Sequence, residues 1–499
     1  MADNQVSSQT SSAPAAAGAP RKNGLGVFAL AAIVVSSMLG GGIYSLPQNM
    51  AAGASAGAVL LAWVITGIGI YFIANTFSIL SRAKPNLTTG IYSYSRAGFG
   101  PYVGFTIGWS YWLCQVCGNV GYAVITMDAL NYFFPPYFAG GNNFASIIGG
   151  SIIIWGFNYL VLRGVRQASI VNLIGTIVKI VPLILFILIM LFVFNHDKFS
   201  FDFWGEALST RAKLGGLTAQ IKSTMLVTLW AFIGIEGAVV MSNRAKSPND
   251  VSKATLLGFI SCLAIYVLLS LLPFGFMSQA QLATIPNPST AGVLEAVVGR
   301  WGAWLMNIGL LVSVLTSWLA WTMVTAEIPQ AAAANGTFPR EFTKENENGS
   351  PSVSLWVTSA MMQLFLLLVY FSNNAWNTML SITGVMVLPA YFASCAYLWK
   401  ICEDGEFPNN VGIRRSAALI TGVLGAVYAL WLIYAAGLTY LMMAVVIIAL
   451  GIPVYMWARK QNNPDQKVFS SGELWLAIAL VVIALWAIYA FSRGIVTLG

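Results

Sequence analysis

The run Ser36-Ser37-Met38-Leu39-Gly40-Gly41-Gly42-Ile43-Tyr44-Ser45-Leu46-Pro47 lies inside the first long apolar stretch of the chain. Three consecutive glycines are permissive in the backbone and poor in a helix interior, so the helix is predicted to break there. In hydrocarbon an unpaired backbone amide costs several kcal/mol, and a break survives only where it lines a cavity and something polar replaces the lost hydrogen bonds. Free N–H groups and the positive end of a half-helix dipole attract an anion such as a carboxylate. Half-helix ends facing each other near the bilayer midplane are the device by which secondary transporters bind their cargo.

Composition agrees with a membrane setting. Hydrophobic residues make up 58% of the 499 and charged residues 8%, against about 25% charged in soluble domains. An all-α polytopic membrane protein is expected. Apolar segments long enough to span begin near Leu25, Gly57, Pro101, Phe144, Ser169, Lys222, Ser252, Trp301, Val353, Trp376, Ile413, Leu438 and Gly472, about thirteen in all. Threaded alternately from a cytoplasmic N-terminus, they put most cations inside, among them Arg82, Lys84, Arg96, Arg340, Lys400, Arg415 and Arg459. The outer side keeps few, such as Lys198, Lys222 and Arg493. This asymmetry accounts for the net charge of +8. The cations sit in short loops and form no continuous patch, so no nucleic-acid partner is expected. Residues 1–23, rich in Ala, Ser, Pro and Gln, read as a disordered cytoplasmic tail.

A second oddity mirrors the first. Trp230-Ala231-Phe232-Ile233-Gly234-Ile235-Glu236-Gly237 sets a carboxylate between glycines in the middle of the sixth span. Glu236 is either functional or a satisfied packing carboxyl, since a charge at that depth is costly unless it meets water or a partner. Breaks in the first and sixth spans lie five spans apart, as an inverted repeat of five plus five helices requires. The predicted organisation is a transport core over residues 24–401 (spans one to ten) with accessory spans over 402–499. Cys114 and Cys117 spell CxxC, but a membrane helix lacks the strand–helix context of a redox motif, which favours packing. With no phosphate loop, metal cluster or nucleophile constellation in view, neither a cofactor nor enzymatic chemistry is expected.

Four stretches, SSMLGGGIYSLPQNMAA, YWLCQVCGNVGY, LVTLWAFIGIEGAVVMSNRAK and AWTMVTAEIPQAAAANGTFP, together resemble the basic amino acid and polyamine antiporters of the amino acid, polyamine and organocation superfamily, nearest their arginine/ornithine branch. The resemblance implies a broken-helix inverted-repeat fold in a bacterial cytoplasmic membrane. It also implies exchange of a cationic amino acid for its metabolic product, arginine for ornithine first. Arginine/agmatine, lysine/cadaverine and histidine/histamine exchange, proton-coupled symport, and a channel or sensor on the same fold are the alternatives. A homodimer is left open.

By the same resemblance, the backbone at Met38, Gly41 and Gly42 looks like a carboxylate clasp, and carbonyls near Trp230 and Ile233 look like the α-amino site. Asn119 and Trp321 match the residues that meet the cationic side chain. Asn119 is equally read as an interhelical hydrogen bond, and Trp321 as one interfacial anchor among 17 tryptophans. Tyr111, Trp230 and Glu236 match an outer gate. The segment Pro389–Ala393 lacks the aromatic some relatives carry, with Tyr391 a weak substitute. Lys179 resembles a lysine standing where sodium-coupled members bind their cation. It is either a titrating group that couples protons or a fixed positive charge locking spans one, five and eight together.

Overall fold

The computed structural model describes residues 26–87, 91–164, 168–235, 246–409 and 411–496. The tail and Glu236 lie outside them. Among the described residues every regular element is helical. The elements that build the bundle are α1 (Val27–Met38), α2 (Leu46–Ala51), α3 (Ala56–Ala83), α4 (Pro101–Asn131), α5 (Phe144–Leu162), α6 (Ala168–Phe192), α7 (Leu217–Ala231), α8 (Pro248–Leu271), α9 (Arg300–Ala334), α10 (Ser352–Val369), α11 (Ala375–Glu403), α12 (Arg415–Ala435), α13 (Leu438–Ala449), α14 (Gly451–Asn462) and α15 (Ser471–Ser492).

Among the described residues ten helical stretches, α13 and α14 counting as one, are long and apolar enough to cross a bilayer, and the bent pair across the glycines makes eleven. The fifth and sixth apolar segments are represented by α6, whose side chains are described from Val178 onward, and by α7, which stops at Ala231. Local chemistry sets several helix starts. Asn143 caps α5 by accepting from the Ser146 amide, and Ser470 with Glu473 forms a reciprocal capping box on α15. The Glu473 carboxylate also accepts from the Tyr102 amide at 2.9 Å, tying α15 to the start of α4.

Loop hydrogen bonds verify the alternating threading. Lys84 pairs with Glu406, Arg96 bonds Asn335, Lys400 bonds the Gly98 carbonyl, and Arg340 bonds Asn462. Asn346 reaches the carbonyl of Leu162, and Ser252 meets Ser78. All these termini therefore share one end, where the cations gather. At the opposite end Asn142 bonds the Val369 carbonyl, Ser55 meets Gln220, and Gln279 meets the Ala51 carbonyl. The first span thus starts at the basic end and the sixth at the other, antiparallel to it.

The packing pairs repeat when each span is advanced by five. First packs on seventh (α1 on α8) as sixth packs on second (α7 on α3), and third on tenth (α4 on α11) as eighth on fifth (α9 on α6). Third on fourth (α4 on α5) is matched by eighth on ninth (α9 on α10). Second–seventh, third–eighth and fourth–ninth contacts map onto themselves. This is the contact signature of a five-plus-five inverted repeat.

Candidate functional site

The first predicted break is present, and at the second the helix ends where a break is expected, its continuation lying outside the described residues. After α1, Leu39 (ψ 69°) and Gly40 (ψ −162°) leave the helical region, a 3-10 turn runs over Gly41–Ser45, and the axis bends by 50° into α2. After α7 the chain turns through Phe232–Ile235, with Gly234 at φ +106°, a conformation that favours glycine. The two breaks touch: Ser37 Oγ donates to the Gly234 carbonyl at 2.9 Å.

The polarity of the first break is one-sided. Carbonyls at the C-terminal end of α1 are already met, Met38 O by the Tyr266 hydroxyl at 2.9 Å and Ser36 O by Lys179 Nζ at 2.8 Å. The opposite lip starts with the donors of the 3-10 turn, which has no side-chain cap. The first N–H groups of such a turn have no acceptor within it and favour an anion.

The glycine run is required by three close approaches from three helices. A methyl group added at Gly40 would lie 2.7 Å from the Tyr122 hydroxyl, at Gly41 2.7 Å from Val314 Cγ2, and at Gly42 1.6 Å from the Trp230 ring. The Trp230 indole therefore lies directly on the break.

Beside the break is a cavity lined by Ser37, Met38, Gly40, Gln115, Gly118, Asn119, Tyr122, Trp230, Ile233, Trp321 and Thr383. Among the described residues its lining includes no carboxylate and no cation. Space free of atoms amounts to about 410 Å³, of which only about 30 Å³ admits the centre of a water molecule. The cavity is narrow. Asn119 Nδ2 donates to the Gln115 carbonyl at 2.8 Å and to Thr325 Oγ1 on α9 at 3.1 Å. Its Oδ1, Gln115 Nε2 and the Thr383 hydroxyl are buried and without a hydrogen-bond partner among the described residues. Buried polar groups normally find partners, so three orphans around one cavity mark a place for a polar ligand.

A broken-helix pair enclosing such a cavity, inside a five-plus-five repeat, is the architecture of an amino acid carrier, and the amino acid permease family profile matches residues 25–439. The chain belongs to the amino acid permease family. The permease is 64% identical over 473 residues to a protein of Chlamydia felis (strain Fe/C-56), covering 95% of this chain and 97% of that one. It is 62% identical over 472 residues to a protein of Chlamydia caviae, covering 94% and 97%. A protein of Chlamydia trachomatis serovar L2 is 60% identical over 470 residues, with coverage of 94% and 97%. Each of these relatives is named an arginine/agmatine antiporter.

Of the residues singled out in the permease sequence, Met38, Asn119, Trp230, Ile233 and Trp321 all line the cavity. Gly41 and Gly42 stand just behind its wall, the first against Val314 and Ile125, the second under Trp230. Asn119 makes the interhelical hydrogen bond of one reading, its amide nitrogen bridging α4 to α9, and also lines the cavity.

Of the expected gate of Tyr111, Trp230 and Glu236, the carboxylate lies outside the described residues. Tyr111 is buried on α4 eight residues before Asn119, about 12 Å along the axis at the helical rise, and does not line the cavity. The ring that meets Trp230 is Trp376, edge to face at 5.5 Å and 80°. Tyr391 packs its ring edgewise on Phe77 instead.

Lys179 is fully buried between α1 and α9, 2.8 Å from Ser36 O and 3.4 Å from Ser317 Oγ. Its ammonium stands at the C-terminal end of α1, where the helix dipole favours a cation. Both cysteines of the CxxC motif are buried thiols outside any disulfide among the described residues, and Cys114 Sγ donates to the Thr383 carbonyl.

Sequence reasoning passed over Gly40, Gln115, Tyr122, Thr383 and Trp376. Gln115, Asn119 and Tyr122 stand at i, i+4 and i+7 of a helix that is otherwise apolar on that face. That stripe was a usable signal.

Proposed function

We propose that the permease is an obligatory exchanger of arginine for agmatine across a bacterial cytoplasmic membrane, its N-terminus and basic end facing the cytoplasm. The observation that carries the reading is a neutral cavity with orphaned polar atoms beside a tryptophan. Asn119 Oδ1 and the Thr383 hydroxyl can accept from a guanidinium while the Trp321 face takes its charge. Cation–π attraction supplies about 2 kcal/mol when desolvated, enough to hold a cation without a counter-charge that would trap it.

At the other pole the amides of Gly41 and Gly42, beside Met38, hold the carboxylate, and carbonyls near Trp230 and Ile233 take the α-ammonium. Agmatine keeps the guanidinium and lacks the carboxylate, so it uses the first set of contacts and leaves the amides unmet. Ornithine, the product first expected, keeps the carboxylate but replaces the planar five-donor head with a compact ammonium. The names of the relatives and the paired acceptors both favour agmatine.

Transport proceeds by alternating access: Trp230 closes over the site and one group of helices rocks against the other. Residues 24–401 carry this cycle, and 402–499 pack around it. Counterflow tests the reading. Proteoliposomes loaded with agmatine take up labelled external arginine, and empty vesicles do not. Equal uptake into empty vesicles identifies a channel, and stimulation by internal ornithine, lysine, histidine or putrescine but not agmatine overturns the pair.

A further inference from the structure

We infer that Trp376 is a positioning residue for the exchange reaction: it braces Trp230 over the first helix break and so sets how long a bound substrate is held. The observation is a wedge of three surfaces. One face of the Trp230 indole rests on Gly42, where even a methyl group would collide with the ring. Its other contact is Trp376, edge to face with centroids 5.5 Å apart. Trp376 is itself fixed, buried on α11 with its ring against Gly121 of α4. It does not line the cavity, so it acts on substrate only through Trp230.

Trp230 also lines the narrow cavity beside the break. For substrate to leave past this lid the indole must swing, and swinging it breaks the contact with Trp376. The brace is therefore lost in the transition that releases substrate and kept in the state that retains it. Removing it speeds escape and raises the KM more than it changes kcat. Trp376 further carries a buried indole N–H with no acceptor among the described residues. Phenylalanine keeps the ring edge and deletes that donor, so it preserves or tightens the brace, whereas alanine or leucine abolishes it.

The proposal rests on arginine as substrate and not on the identity of its counter-substrate, so arginine/arginine exchange in proteoliposomes is the test. Wild-type exchange itself checks the substrate reading. Trp376→Ala is expected to raise the KM for arginine about fivefold, the worth of one aromatic pair, with kcat changed less than about twofold. Trp376→Phe keeps a wild-type or lower KM. In a Trp230→Leu background, Trp376→Ala adds no further change, because the ring it braces is gone. If alanine disturbs membrane insertion, Trp376→Leu supplies the same comparison at larger volume. A wild-type KM in both the alanine and leucine variants, a phenylalanine variant as impaired as they are, or additive effects with Trp230→Leu overturns the brace.

Discussion

At the scale of single residues, the proposed exchanger would work by offering dipoles and ring faces where charges would bind too tightly. Trp321 is the clearest test of that proposal, because it lines the cavity with a ring and not a charge. Trp321→Leu should leave the protein folded and raise the KM for arginine and agmatine alike by about thirtyfold, the equivalent of the roughly 2 kcal/mol of a desolvated cation–π contact. Exchange kinetics with both substrates check it, and a loss confined to one substrate contradicts the shared role.

Lys179 belongs to a different part of the machine. Its ammonium satisfies the Ser36 carbonyl at 2.8 Å and reaches Ser317 at 3.4 Å, so it ties α1 to α9 through α6. Lys179→Gln should lower the melting temperature and kcat while leaving the shape of the pH–rate profile unchanged. A profile altered in shape would make the lysine a proton-coupling group instead.

At the scale of elements, the two breaks were legible in the sequence because glycine is the one residue type whose clusters contradict a membrane helix. Their packing partners were not. That each glycine of the triplet faces a different helix follows from the bundle geometry, and Trp376 is indistinguishable by sequence from the other tryptophans of an aromatic-rich chain.

The contacts make the glycines testable one at a time. Gly42→Ala places a methyl 1.6 Å from the Trp230 ring and must expel the lid, so exchange should fall at least about tenfold with the protein still inserted. Gly41→Val should abolish uptake by forcing Val314 and Ile125 away from the break. Gly156→Ala, in α5 with nothing within 4 Å, is the control and should be silent or slightly stabilising. Wild-type uptake by Gly42→Ala would mean that Trp230 does not need the break beneath it.

At the scale of the whole molecule, the identity of the exchanged pair becomes a question of charge movement. Arginine carries a guanidinium, an ammonium and a carboxylate, for a net charge of +1. Agmatine has lost the carboxylate and carries +2, whereas ornithine remains at +1. One arginine entering for one agmatine leaving moves a single positive charge outward in each cycle. Arginine for ornithine moves none. The described lining of the cavity is neutral and adds no compensating charge of its own. Moving one elementary charge through 100 mV is worth about 2.3 kcal/mol, or roughly fiftyfold in the accumulation ratio at equilibrium. In agmatine-loaded proteoliposomes, an inside-positive potential set by a potassium gradient and valinomycin should therefore accelerate arginine uptake, and an inside-negative potential should suppress it. Vesicles loaded with arginine provide the electroneutral baseline, indifferent to either sign. Uptake against internal agmatine that is equally indifferent would show that no net charge crosses, and one-for-one arginine/agmatine exchange would then be excluded whatever the affinities of the two substrates.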